Sequence, residues 1–298
     1  MTDERAEEWI GYLYKRGDFA TATIYSYKGS MRTRWSMSGG TAINPWDSER
    51  VKRMLKGIAN LRGTTEVARK AAHPKSIALT PARIDRISAF IDFNDPAHVM
   101  RYAAITLGTA AMLRPGEIFG STSNRRPLYI NDISFFATAS PGSITPLLPP
   151  GSAISTHAVP DHYTINLGGT KADQFGTNAP SIVSSATSVR ALWVWVHLRR
   201  DALTTSPILF IHQGVPVTTN SIVAYLTRLL AQSGVVNPRV TGRTFRRGGA
   251  SHLVAHGVPR ADIAAMGRWK THAMIEVYAD TESKEQRVVQ AGRGLGPR

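Results

Sequence analysis

Cysteine is absent from the 298 residues. That excludes a disulfide framework, a thiolate zinc site and a catalytic cysteine, and it is compatible with a reducing compartment. Acidic residues are scarce, 21 Asp and Glu against 36 Lys and Arg, so the formal net charge is +15 and the isoelectric point lies near 10.4. A chain this basic points to a polyanion, either nucleic acid or an anionic membrane surface, although solvated basic surfaces with no partner would look the same. Long apolar runs are also missing. The longest stretch without Asp, Glu, Lys or Arg runs from Ile133 to Pro160, and Pro141, Pro146, Pro149, Pro150 and Pro160 interrupt it. A bilayer helix of about 20 apolar residues cannot be drawn through it, and it reads as a long irregular connection. The start, Thr2-Asp3-Glu4-Arg5, has no basic segment leading into an apolar one, so no secretion signal is expected. No Walker-type phosphate loop, no His or carboxylate cluster at metal spacing and no internal repeat is found. Neither a cofactor nor a metal is therefore expected.

What is present is enough for a core: 42% hydrophobic against 19% charged residues. At roughly 100–200 residues per domain the length suggests two domains. Residues 1–75 hold 14 basic and 8 acidic side chains, 76–181 hold 7 and 7, and 182–298 hold 15 and 6. Two basic ends around a neutral middle suggest two surfaces facing one polyanion. In the first part, Trp9, Ile10, Leu13 and Tyr14 mark one amphipathic helix, and Thr21–Met37 a second with Ile24, Tyr25, Tyr27, Met31 and Trp35. A third carries Val51, Met54, Leu55, Ile58 and Leu61 at helical spacing, with Lys52, Arg53 and Lys56 on the other face. That basic face is either a phosphate-binding surface or an ordinary solvated one.

The pattern breaks around Ala72-His73-Pro74, which puts a linker at about 70–79; Thr80-Pro81 then caps a new helix. Helices are predicted over 81–92, 96–111, briefly from Pro115, and over 188–200, 221–232, 243–256 and 261–265. Tyr163–Leu167 alternates as a strand, Asp173–Gly176 is a turn, and Pro180–Val183 is the return strand. Trp193 and Trp195 read as core. Arg125-Arg126 is read as a phosphate contact or a solvated loop, and Arg199-Arg200 as a charge pair at a helix C-terminus.

Three arginine-bearing segments could carry chemistry. Arg114 closes an apolar helix, with Glu117 three residues on to orient it, an arrangement that is also that of a structural ion pair. Arg243 and Arg246 share a helix face and could fork onto one phosphate, while Gly248, Gly249 and Ala250 allow close backbone approach. Gly267-Arg268-Trp269 brings an indole donor, and Tyr278 a hydroxyl able to attack phosphorus. Attack on a phosphodiester builds negative charge on the non-bridging oxygens, which fixed cationic donors stabilise, and the same cations favour the phenolate nucleophile.

Taken in order, these segments resemble the tyrosine recombinases, phage-integrase-like enzymes that cut and rejoin DNA through a phosphotyrosine. The resemblance is carried by Leu113-Arg114-Pro115-Gly116-Glu117-Ile118, Thr170-Lys171-Ala172-Asp173-Gln174-Phe175-Gly176, Arg243-Thr244-Phe245-Arg246-Arg247-Gly248-Gly249-Ala250, Gly267-Arg268-Trp269 and Tyr278, with Trp269 nine residues before Tyr278. It is clearest over about 76–280; residues 1–75 match only in size and helical character.

The resemblance implies that Arg114 and Arg246 are the two catalytic arginines, that Glu117 supports them, and that Lys171 is the hairpin lysine protonating the leaving 5′ oxygen. It makes Trp269 a phosphate-oxygen donor and Tyr278 the nucleophile. One position departs from the commonest pattern: Arg243 stands where the family usually has His or Lys. Arginine stays protonated, so Arg243 can clamp a phosphate but not accept the tyrosine proton. His272 is a candidate acceptor, or else a solvated loop residue; His252 reads as buried and structural.

A mainly α fold with a small β-sheet or hairpin is implied. Its N-terminal helical core-binding domain would span 1–75 and its mixed α/β catalytic domain 76–298, together forming a C-shaped DNA clamp. Also implied are double-stranded DNA as partner with Lys52, Arg53, Lys56 and Arg247 among the contacts, and a homotetramer on two DNA sites in which the C-terminal tail, 281–298, docks in trans. An intracellular, DNA-containing compartment with no membrane association follows. A type IB topoisomerase-like enzyme and a non-catalytic DNA-binding relative are the alternatives.

Overall fold

Small polar side chains start the helices of the N-terminal part. Thr2 accepts from the Arg5 N–H at 3.5 Å to cap α1 (Asp3–Lys15), and Ser48 accepts from the Val51 N–H at 3.3 Å to cap α3 (Glu49–Leu61). Between them lie α2 (Thr21–Met37) and a 3₁₀ turn, Pro45–Asp47, capped by Asn44. The computed structural model describes residues 2–17, 19–39, 44–63, 76–120, 126–140, 143–146, 159–167, 180–201, 206–269 and 271–279. The chain divides into two compact units, Met1–Lys75 and Ser76–Arg298.

In the first unit the helices bury Ile10, Leu13, Ile24, Trp46, Leu55 and Ile58 against one another. The ring of Trp9 meets Trp46 edge-on at 5.5 Å. Of the residues expected to line α2, Tyr25 and Tyr27 are exposed, Met31 and Trp35 are half-buried, and Ile24 alone goes fully inside. Lys52, Arg53 and Lys56 lie exposed on α3, where Lys52 also pairs with Glu49 at 2.6 Å.

The second unit is built around α5 (Pro96–Ala110), which Asp95 caps through its contact with the Ala97 N–H at 2.7 Å. This helix is apolar nearly all round and correspondingly buried, as an interior helix must be. The helix α4 (Pro81–Ser88) precedes it and α6 (Pro115–Ile118) follows. A four-stranded antiparallel sheet comes next, with strand order β2-β1-β3-β4: β1 Ile133–Ser140, β2 Ser143–Pro146, β3 His162–Ile165 and β4 Ser181–Val183. Phe135 opposes Tyr163, and Tyr163 opposes Val183, all three facing the core. Then follow α7 (Ala186–Asp201) against α5, a hairpin of β5 (Ile211–His212) and β6 (Val215–Pro216), and α8 (Thr219–Gln232). The chain ends its described part with α9 (Thr244–Ala255), α10 (Arg260–Gly267) and α11 (Ala273–Tyr278). The fold is mainly helical with small antiparallel sheets.

Three sequence expectations need correction. The uncharged stretch from Ile133 is not irregular throughout, because its first part forms β1 and β2: Ile133 and Phe135 are buried while Ser134 and Phe136 are less so, the alternation of a half-buried strand. Pro146 is tolerated because β2 is an edge strand. Arg199 is not a helix-end charge but is buried, donating to the carbonyls of Ser206 and Ile208. Arg126 forks onto Asp132, at 2.5 and 2.7 Å. The tryptophans do go to the core: Trp195 is buried with its indole N–H on the Leu209 carbonyl at 2.8 Å, and Trp193 packs edge-on to Phe135 at 4.9 Å. Among the described residues no helix is long and apolar enough to cross a membrane.

What positions the site is the approach of α9 to α5 and to Leu79, just before α4. A Cβ on Gly248 would sit 2.0 Å from the Leu79 carbonyl oxygen, and one on Gly249 would sit 2.5 Å from both the Thr109 carbonyl oxygen and Met112 Cγ. Backbone thus lies against backbone, which drives Arg246 into the interior beside α6. Gly248→Ala has to push rigid main chain aside and is expected to cost about 1–3 kcal/mol. The check is a thermal melt, in which an unchanged midpoint would show that the contact is slack.

Candidate active site

Pro115 fixes the first turn of α6, and Arg114 enters it extended (φ −80°, ψ 146°). That turn brings Glu117 back over its own start. One carboxylate oxygen accepts the Arg114 backbone N–H at 2.8 Å and the other accepts Arg114 Nη1 at 2.9 Å. Arg246 comes from α9, 129 residues away in sequence, and its Nη2 reaches both Glu117 oxygens at 3.3 and 3.4 Å. The Arg246 and Glu117 side chains are each only 1% exposed, whereas Arg114 is 37% exposed and so reaches solvent. Arg268, which ends α10, adds Nη2 at 3.6 Å from Glu117. One buried carboxylate therefore orients three guanidinium groups.

These charges set the ionisation of the group. Burial alone pushes the Glu117 carboxyl up; the Arg246 guanidinium, the Arg114 N–H, and the charges of Arg268 and Arg114 outweigh it and hold the carboxyl below its ordinary value. Burial lowers Arg246, with Glu117 opposing that effect and Arg114 adding to it. Burial likewise lowers Arg268 to about 10, against the pull of Glu117, so it remains a cation at neutral pH.

The nucleophile candidate lies on the same side. Tyr278 closes α11, is buried, and stacks on Trp269 with ring centroids 5.0 Å apart and planes 7° from parallel. It packs with Met112, just beyond the end of α5, and with Ala250 of α9, the helix that carries Arg246. Trp269 folds back over the end of α10, where a Cβ on Gly267 would be 2.7 Å from its ring. Three residues in this cluster keep buried donors without a partner among the described residues: Arg246 through Nε and Nη1, Arg268 through Nε, and Trp269 through its indole N–H. Buried donors are nearly always satisfied in folded proteins, and cationic ones with a free fork call for an anion.

The structure thus brings together Arg114, Glu117, Arg246, Trp269 and Tyr278. Arg243 is exposed at the start of α9, with its N–H on the Thr241 hydroxyl at 3.2 Å. Lys171 lies outside the described residues, as does the turn expected at 173–176. Arg247, expected at the DNA surface, is instead buried: its place on α9 turns it inward, where Nη1 donates to the Val277 carbonyl at 3.3 Å, one residue before Tyr278. His272 is exposed in the turn just before α11, as a solvated loop residue would be, and His252 is only half-buried, its ring 4.1 Å from that of His256. Sequence reasoning missed Arg268. The only signal was an arginine beside the site tryptophan, and its partners could not be read from the chain. Among the described residues no His or carboxylate group forms a metal cluster.

Residues 178–285 match the phage integrase family model. No curated protein sequence matches the chain. Among solved structures, the chain is similar to XerH site-specific recombinase bound to palindromic difH substrate in a post-cleavage complex, with 14% identity over 98% of this chain and 72% of that one and a TM-score of 0.57. It is also similar to the Tn1549 transposon integrase in complex with circular intermediate DNA, with 15% identity over 97% of this chain and 85% of that one and a TM-score of 0.53. At these identities the likeness is one of fold.

Proposed function

We propose, from the match of residues 178–285 to the phage integrase family model, that this chain is a site-specific DNA recombinase that cleaves and rejoins strands through a 3′-phosphotyrosine. The single observation that carries this reading is the set of buried donors on Arg246 and Trp269 that have no partner among the described residues, beside the Tyr278 ring. The Tyr278 oxygen attacks phosphorus, the bond to the 5′ oxygen breaks, and the phosphate becomes esterified to the tyrosine. Arg114, Arg246 and the Trp269 N–H take the charge that grows on the non-bridging oxygens, with Arg243 as an outer clamp. Glu117 carries no part of the bond exchange; it holds the guanidinium groups in place before the reaction begins. Lys171 supplies the proton to the leaving 5′ oxygen, and the 5′ hydroxyl of a second strand reverses the step without ATP, since the ester keeps the energy of the broken bond. Four copies on two DNA sites, with the tail of 281–298 docking in trans, complete the proposal. Exposed Lys52, Arg53 and Lys56 on α3 add phosphate contacts.

The proton-donor role is tested with Lys171→Ala. Cleavage is expected to slow by about 10²–10⁴-fold, the usual worth of a general acid, and a 5′-bridging phosphorothioate, whose leaving group needs no proton, is expected to restore it. A variant slow on both substrates would remove Lys171 from that role. DNA affinity is expected to fall steeply between about 50 and 200 mM salt, read by fluorescence anisotropy, because phosphate contacts dominate. A flat salt dependence would contradict a broad phosphate-binding surface.

A further inference from the structure

We propose that Arg268 is a positioning residue that locks Glu117, the end of α5 and Trp269 into one geometry; this rests on the function proposed above. Both α5 and α10 end in the same kind of turn. At α5 the Leu113 N–H returns to the Gly108 carbonyl at 2.9 Å and the Met112 N–H to Thr109 at 3.2 Å; at α10 the Trp269 N–H returns to Ala264 at 2.9 Å and the Arg268 N–H to Ala265 at 3.0 Å. Such turns need a left-handed residue, usually glycine. Here Met112 (φ 49°) and Arg268 (φ 53°) fill the two positions, each a strained choice for a residue with a Cβ.

The side chain at 268 gives that strain a use. It crosses from one helix end to the other, where Nη2 lies 3.3 and 3.4 Å from the carbonyl oxygens of Met112 and Ala111 and 3.6 Å from Glu117. Nη1 donates to the Ser181 hydroxyl, at the first residue of β4, at 3.1 Å. The negative end of α5 is a natural seat for a cation. Meanwhile the left-handed backbone at 268 turns Trp269 back over Gly267 and onto Tyr278. One residue therefore fixes the tryptophan through its main chain and the carboxylate through its side chain. Glu117 is thus shared between Arg268 and Arg246, whose Nη2 lies 3.3 and 3.4 Å from its oxygens, while Arg246 Nε and Nη1 have no partner among the described residues. A lysine would keep the charge but could not span Ser181, two carbonyls and a carboxylate at once.

The experiment uses the full chain with Arg268→Gly, Arg268→Lys and Ser181→Ala. Three quantities are read: the single-turnover rate of covalent adduct formation on nicked DNA from beside the coding region, the affinity for that DNA, and the indole ¹H–¹⁵N resonance of Trp269, identified by its loss in Trp269→Phe. Arg268→Gly suits the left-handed backbone but lacks the fork. It is expected to lose about 10–100-fold in rate, keep its affinity within about twofold and displace the Trp269 resonance. Arg268→Lys is expected not to rescue the rate, and Ser181→Ala to lose several-fold, which keeps the test open if the glycine variant fails to fold. Wild-type rates with an unmoved resonance, full rescue by lysine, or a loss of affinity in step with the loss of rate would each overturn the proposal. If the wild-type protein forms no adduct yet the resonance still moves in the Arg268 variants, the positioning role stands and the recombinase reading falls.

Discussion

Tyr278→Phe is expected to abolish the covalent protein–DNA adduct, by about 10⁴-fold or more in rate, while DNA affinity stays within about twofold. The substitution removes one oxygen and little else. The phenyl ring keeps its stack on Trp269 and its packing against Met112 and Ala250, so the fold and the donor cluster survive. Binding depends on phosphate contacts spread over a basic surface, to which a buried phenol adds little. A denaturing gel after incubation with nicked duplex measures the first quantity, and anisotropy measures the second. An adduct formed by the phenylalanine variant at the wild-type rate would mean that another residue attacks phosphorus.

Glu117→Gln is expected to have the largest effect on stability. The carboxylate is buried among Arg114, Arg246 and Arg268, and the amide would leave two of those cations, 1% and 10% exposed, without their counter-charge. Breaking one side of a buried ionic network costs about 3–5 kcal/mol, which for a unit of this size lowers the melting temperature by on the order of 10 °C. The pH dependence follows the same charge. Since the folded carboxyl is held below its ordinary value, its stabilisation is full above about pH 4.5 and is lost as pH falls through the folded value. The glutamine variant is expected to lack that acid limb. Calorimetry at pH 7 and at pH 3–5 reads both effects, and a variant melting within about 1 °C of wild type would show that the three arginines do not depend on Glu117.

Much of this architecture was legible because local signals agreed with tertiary ones. Pro81, Pro96 and Pro115 stand at the first positions of α4, α5 and α6, and the strand expected at 163–167 overlaps β3, which spans His162–Ile165. β1 and β2 were not legible, because a proline-rich, charge-free stretch gives loops and edge strands the same composition. Arg199 and Arg247 depart from expectation for a common reason: a basic residue in a sequence suggests solvent or phosphate, yet each is buried and donates to main-chain carbonyls that only the fold supplies. Arg268 is the extreme case, since its partners lie on α5, α6 and β4. The pairing of Arg114 with Glu117 was readable from its spacing, whereas the arrival of Arg246 on the same carboxylate depends on Gly248 and Gly249, which let α9 touch the Leu79 main chain and α5.

The most direct measurement traps the protein on nicked DNA from the region flanking its coding sequence, digests the complex and sequences the modified peptide by mass spectrometry. A 3′-phosphonucleotide esterified to Tyr278 is the expected product. A linkage to any other side chain, or a 5′-phosphate on the tyrosine, would contradict the convergence of Arg114, Arg246, Trp269 and Tyr278 on a single phosphorus.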